Sequence, residues 1–132
     1  MNIGQNAIGD QGIAHLAESL KKNQTLKHLY VYGCDLTSRG AKHLSMLLAQ
    51  NGSLSYLNIS GNEIGDQGMA HLAESLKSNR TLKELDISHC GITDTGLAAA
   101  AEVLRTQRTL DIRGLFDQTY ELSTMEYSQT GK

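Results

Sequence analysis

The residues best suited to chemistry recur in this 132-residue chain at fixed intervals. His15, His43 and His71 follow one another at 28 residues, and Cys34 and Cys90 stand 56 apart. Imidazoles and thiolates are the usual ligands of zinc, and two thiols are also a candidate disulfide. The elements that must position them decide against both ideas. Ile13, Leu16, Ala17 and Leu20 are spaced i, i+3, i+4, i+7, which is an apolar helical stripe. Position 15 lies roughly 160–200° around the wheel from the centre of that stripe, so the histidine row is expected on the outer, solvated surface. Its fourth member is Ala99, and packed helix axes sit about 8–10 Å apart, too far for imidazoles to share one ion. Cys34 and Cys90 each follow an alternating segment, with one further such segment between them. If the segments are strands of one sheet, the two cysteines are roughly 10 Å apart, beyond the ~7 Å a disulfide tolerates. Buried, unpaired thiols are expected.

Other chemical motifs are lacking. The sequence contains no Gly-rich phosphate loop, no zinc-binding Cys quartet and no His-Glu-x-x-His segment. Gly-Asp-Gln-Gly at 9–12 and 65–68 lacks the lysine of a P-loop. Ser, His and Asp occur in rows, and nothing pairs one nucleophile with its base. Glu18, Glu74 and Glu102 fall on expected solvated helix positions. No catalytic residue, metal or cofactor is therefore expected.

Those rows are one sign of a longer period. GDQGIAHLAESLKKNQTLK (9–27) returns at 65–83 with 16 of 19 residues unchanged. Leu26, Leu54, Leu82 and Leu110 are 28 apart, as are Gly12, Gly40, Gly68 and Gly96, and Leu20, Leu48, Leu76 and Leu104. A fixed period in this range is the mark of a solenoid. The phrase Leu-x-x-Leu-x-(Val/Ile)-x-x-(Asn/Cys)-x-(Leu/Ile) occurs at Leu26–Leu36, Leu54–Ile64 and Leu82–Ile92, with a partial copy at Ile3, Asn6 and Ile8. His28–Tyr32, Tyr56–Ser60 and Glu84–Ser88 alternate apolar with polar residues, which predicts a strand with one buried face. Asp10, Ser38, Asp66 and Asp94 are predicted to cap the helices that follow. The glycine row is expected to permit close approach to the neighbouring turn. Each unit is thus strand, turn, helix, turn, and parallel strands stack into a curved solenoid.

With phrase, period and downstream helix in agreement, the chain resembles the leucine-rich repeats of the ribonuclease-inhibitor type, also found in NOD-like receptors. The resemblance covers about residues 2 to 110. It implies a right-handed α/β solenoid with a parallel sheet on the concave face and helices on the convex face. Asn6, Cys34, Asn62 and Cys90 alternate in the turn after each strand, similar to the two repeat flavours of ribonuclease inhibitors. They are expected to form a structural turn ladder, with the asparagines bonding backbone groups. Residues 1–110 are expected to hold about four repeats, the first partial. Residues 111–132 depart from the pattern, since the Leu expected at 113 is missing and Gln118 stands where Asn or Cys should be. A degenerate repeat, a cap and a disordered tail all remain open for them.

Specificity is expected where the repeat does not dictate the residue. The alternate strand positions form three rows: His28, Tyr56, Glu84; Tyr30, Asn58, Asp86; and Tyr32, Ser60, Ser88. These rows carry three of the five tyrosines, and tyrosine is enriched at interface hot spots. The face is aromatic at one end and acidic at the other, matching a partner that is apolar on one side and basic on the other. The resemblance implies a non-catalytic module binding a protein partner through this face. A GTPase-activating role, as in other proteins built on such repeats, finds no residue-by-residue match.

Composition narrows the class further. The formal net charge is -2 and the charges are mixed, so no basic stripe for nucleic acid is present. No apolar run approaches the ~18 residues that span a bilayer, and Met1–Gly4 carries no basic and apolar leader pattern, so no secretory signal is expected. Two cysteines are too few for a disulfide scaffold, so a cytoplasmic setting is expected. Of the Asn-x-Ser/Thr sequons at Asn23, Asn51, Asn58 and Asn79, three fall on the 28-residue period, so the repeat explains them without a sugar. The first repeat begins without a polar cap, so a fragment of a larger receptor or effector, or a homo-oligomer through uncapped ends, is expected.

Overall fold

A computed structural model describes residues 1–118. Its elements alternate strictly: α1 Gly9–Leu20, β1 His28–Tyr30, α2 Ser38–Gln50, β2 Tyr56–Asn58, α3 Gly65–Leu76, β3 Glu84–Asp86, α4 Asp94–Thr106 and β4 Asp111–Arg113. The strands form one parallel sheet in chain order, β1-β2-β3-β4. Ahead of β1, Asn2 bridges Tyr30 in parallel, and Ile3 N–H donates to Tyr30 O at 3.0 Å. The sequence therefore folds as an α/β solenoid, sheet on one face and helices on the other.

The core is a set of rows. Leu29, Leu57, Leu85 and Ile112 are aligned across the sheet, with Val31, Ile59 and Ile87 behind them, all buried. The helices contribute Ile13, Leu44, Met69, Leu72 and Ala100. Burying one such side chain is worth about 1.5–3 kcal/mol, and no single repeat covers its own apolar face.

The last pairing departs from the period. Leu85 pairs with Ile112, 27 residues on, so Ile112 takes the slot sought at 113. A turn closed by Asp117 N–H to Gly114 O at 3.1 Å then restores the spacing, and Gln118 lies 28 residues after Cys90. Residues 119–132 lie outside the described residues, and with them the fate expected for that part of the chain.

The predicted caps need correction. The N-cap positions are Ile8, Thr37, Ile64 and Thr93, not Asp10, Ser38, Asp66 and Asp94. Asp10 and Asp66 serve the following repeat instead. Asp10 Oδ1 accepts from Thr37 N–H at 2.8 Å and Oδ2 from the Thr37 hydroxyl at 2.5 Å. Asp66 accepts from Thr93 N–H at 2.7 Å, from Gly96 N–H at 2.9 Å and from the Thr93 hydroxyl. A carboxylate at a helix N-terminus meets unpaired N–H groups and the positive end of the helix dipole. Both carboxyls are accordingly held below the ordinary value. At Asp10 burial pushes upward, but the hydrogen bonds from Thr37 and Gly40 outweigh it. At Asp66 the Thr93 hydroxyl is the largest cause.

The close approach expected at the glycine row follows from these clamps. A Cβ on Gly40 would lie 2.5 Å from Asp10 Oδ1, and one on Gly96 2.5 Å from Asp66 Oδ1. The repeat's own isoleucine adds to this at Gly96, where Ile92 Cγ2 would lie 2.4 Å away, and is the nearest obstacle at Gly12 and Gly68, where Ile8 and Ile64 would lie at 2.9 and 2.6 Å.

Candidate functional site: the sheet face

The turn residues come first, because they hold the strands in register. Asn62 is buried and fully used. Its Oδ1 accepts from Cys34 N–H at 2.9 Å and Leu36 N–H at 3.0 Å, and Nδ2 donates to Val31 O at 3.0 Å and Ile59 O at 2.8 Å. Cys34 and Cys90 are buried free thiols. Cys34 Sγ–H donates to Ile3 O at 3.2 Å, and Cys90 Sγ–H to Ile59 O at 3.3 Å. Burial pushes the Cys90 thiol up to about 12, which leaves it protonated and inert. Asn6 is exposed, and its Nδ2 donates to Ile3 O at 2.9 Å.

Gln118 does the work of Asn62 one repeat pair later. Its Oε1 accepts from Cys90 N–H at 2.9 Å and Ile92 N–H at 3.1 Å, while Nε2 donates to Ile87 O at 2.7 Å. The extra methylene reaches across the displaced turn. In the sequence Gln118 reads as a departure, whereas chemically it keeps the same carboxamide.

A second ladder escaped the sequence analysis. Asn51 Nδ2 donates to Leu20 O at 2.9 Å and Asn79 Nδ2 to Leu48 O at 2.9 Å. Gln107 Nε2 donates to Leu76 O at 2.7 Å. Each ties off the last carbonyls of the preceding helix, which have no partner within the helix. Asn51 Oδ1 also accepts from Ser53 and Leu54 N–H, both at 2.8 Å. The signal was the 28-residue spacing of the sequons, whose asparagines are structural hydrogen-bonding groups.

On the sheet face the rows are His28, Tyr56, Glu84, Asp111 and Tyr30, Asn58, Asp86, Arg113. The sequence rows thus gain Asp111 and Arg113, hidden by the 27-residue step. Tyr32, Ser60 and Ser88 lie just beyond the strand ends. The Tyr32 ring covers Gly4, where a Cβ would come within 2.3 Å of it. Ser60 hydroxyl donates to Asn58 Oδ1 at 2.7 Å and Ser88 hydroxyl to Asp86 Oδ1 at 2.8 Å, closing the strand ends.

The structure brings the aromatics together. The Tyr56 ring lies 5.0 Å from that of Tyr30 and 6.0 Å from that of His28, tilted by 49° and 50°. Asn58 Nδ2 donates to the Tyr56 hydroxyl at 3.2 Å. Burial pushes the Tyr56 phenol up, and Asp86, Tyr30 and Glu84 add to the rise. At the other end Arg113 Nε sits 2.6 Å from Glu84 Oε2 and 3.4 Å from Asp111 Oδ2.

On the helical side His15 is exposed, as expected, but His43 and His71 are half-buried. Among the described residues no three His, Cys, Asp or Glu side chains are grouped as a metal site. No helix among them is long and apolar enough to cross a membrane.

One short parallel strand and one helix per unit, joined by a ladder of buried carboxamides, define a repeat solenoid of the leucine-rich kind. The family model described as leucine-rich repeat matches residues 22–45, 50–73 and 78–99, more than half of the chain. The chain belongs to the leucine-rich repeat family. Among solved structures it is similar to leiomodin-1 actin-binding site 2, with a TM-score of 0.79 at 20% identity over 98% of this chain and 75% of that one. At that identity the likeness speaks for the fold alone. No curated protein matches the sequence at a significant level.

Proposed function

We propose that the chain is a non-catalytic protein-interaction module of the ribonuclease-inhibitor type, binding a partner protein through the sheet face. Membership of the leucine-rich repeat family supports the interaction role, and the Asn62/Cys90 alternation supports the subtype. The observation that carries the choice of face is the aromatic group His28, Tyr30 and Tyr56. These side chains have no role in the core rows, yet the Tyr56 ring lies within 6.0 Å of each of the other two. Clustered aromatic side chains are enriched among the residues in which protein interfaces concentrate their energy. The buried, unpaired thiols accord with a reducing, cytoplasmic setting.

The test is capture of partners from a matching lysate by the wild type, by Tyr30→Ala/Tyr56→Ala and by Glu18→Ala on α1. A partner of this face is retained by the wild type and by Glu18→Ala and lost by the tyrosine pair. A partner retained equally by all three would move binding off the sheet.

A further inference from the structure

The acidic end of the sheet face is only partly satisfied within the chain. Glu84, Asp86 and Asp111 stand against one cation, Arg113, which engages Glu84 and Asp111. Asp86 Oδ1 is taken by the Ser88 N–H at 3.0 Å and hydroxyl at 2.8 Å. Asp86 Oδ2 and Glu84 Oε1 have no partner among the described residues. Next to them, one strand away, lies Tyr56, paired with Glu84 across the sheet. Neighbouring strands are about 4.8 Å apart, so one group seated there reaches the ring and the carboxylates together.

We infer that the corner formed by Tyr56, Glu84 and Asp86 is a subsite for an arginine side chain of the protein partner. This rests on the interaction role proposed above and gives that face its chemistry. A cation within about 6 Å of a ring centroid is attracted by the ring's negative face. Two carboxylate oxygens beside the ring supply acceptors for its N–H groups. An anionic group would meet the excess negative charge, and a purely apolar one would bury the open oxygen of each carboxylate without a partner, at a cost. A guanidinium suits better than an ammonium because it is planar, weakly hydrated and able to stack while it donates. Arg113 already donates to the other oxygen of Glu84, Oε2, at 2.6 Å.

The experiment titrates 15N-labelled protein with octa-arginine and with octa-lysine at low salt. Amide shifts should concentrate at Tyr56, Glu84 and Asp86, and octa-arginine should bind more tightly than octa-lysine. Tyr56→Leu and Glu84→Gln/Asp86→Asn should each weaken octa-arginine about tenfold, whereas Glu102→Gln on α4 should not. Asn at 86 keeps the acceptor for Ser88, so that variant retains the strand end, and circular dichroism checks each fold. Equal losses from any removed acid, equal binding of the two peptides, or shifts on the helical side would overturn the subsite. Absence of octa-arginine binding would overturn it as well. Capture of a partner that fails only with Tyr30→Ala/Tyr56→Ala would still uphold the sheet face, so the two proposals fail separately.

Discussion

Replacing Asn62 by alanine removes one acceptor from two buried N–H groups, those of Cys34 and Leu36, and one donor from two carbonyls. A buried polar group left unpaired costs about 1–3 kcal/mol, so Asn62→Ala is expected to lower stability by about 3 kcal/mol. Cys34 fills the equivalent slot with a single weak donor, directed at Ile3 O. Cys34→Ala should therefore cost only about 1–2 kcal/mol, for the lost volume and contact. Urea unfolding of the two variants measures both. Equal costs would mean that the slot merely fills space. The same logic separates the sequons from sugar acceptors, because the Asn51 and Asn79 side chains are already committed to carbonyls of the preceding repeat.

Between elements, the clamp from Asp66 to Thr93 and Gly96 makes two predictions. Gly96→Ala would drive a Cβ to 2.4 Å from Ile92 Cγ2 and 2.5 Å from Asp66 Oδ1. Such overpacking costs about 1–3 kcal/mol, more than the ~1 kcal/mol that alanine gains in helix propensity. A net loss is expected. Gly52, by contrast, has open space around its would-be Cβ and no positive φ. Gly52→Ala should be neutral or slightly stabilising, by up to about 1 kcal/mol. Thermal unfolding of the two variants should rank them in that order.

The second prediction concerns acid. A carboxyl held below its ordinary value stabilises the fold above the unfolded pKa of about 3.9, and loses that contribution as pH falls further toward the native value. Wild type should therefore exceed Asp66→Asn in urea midpoint at neutral pH, and the gap should close below about pH 4. A gap that persists in acid would assign the effect to shape and not to charge.

Across the whole molecule the two devices alternate, which is the physical content of the 56-residue super-period. Asp10 and Asp66 reach forward from the asparagine-type repeats, while Asn62 and Gln118 reach back to the cysteine-type turns. The backbone alternates in part: the residue before the ladder position is left-handed in both turn types, at Gln5, Gly33, Gly61 and His89, whereas the residue after it is left-handed only at the cysteines, at Asp35 and Gly91. The 28-residue period, the buried leucine rows and the convergent tyrosines were legible in the sequence, because a repeated apolar pattern has one packing solution. The inter-repeat clamps were not, since a carboxylate's partner lies 27 to 30 residues away and a helix start looks the same whichever repeat serves it. Asp111 and Arg113 were hidden by a 27-residue step that only pairing to β3 fixes.

One turn receives both devices, and that permits a test of how far the repeats act as a unit. Cys34 and Leu36 N–H face forward to Asn62, and Thr37 N–H faces back to Asp10. Loosening the turn from one side should lessen what the other clamp contributes. Asp10→Ala and Asn62→Ala together should then cost less than their sum, by on the order of 1 kcal/mol. Asp10→Ala with Gln118→Ala, at opposite ends of the described chain, should add to within about 0.5 kcal/mol. Double-mutant cycles in urea measure both. Additivity in the first pair would make each junction independent, and coupling in the second would make the solenoid a single cooperative block beyond nearest neighbours.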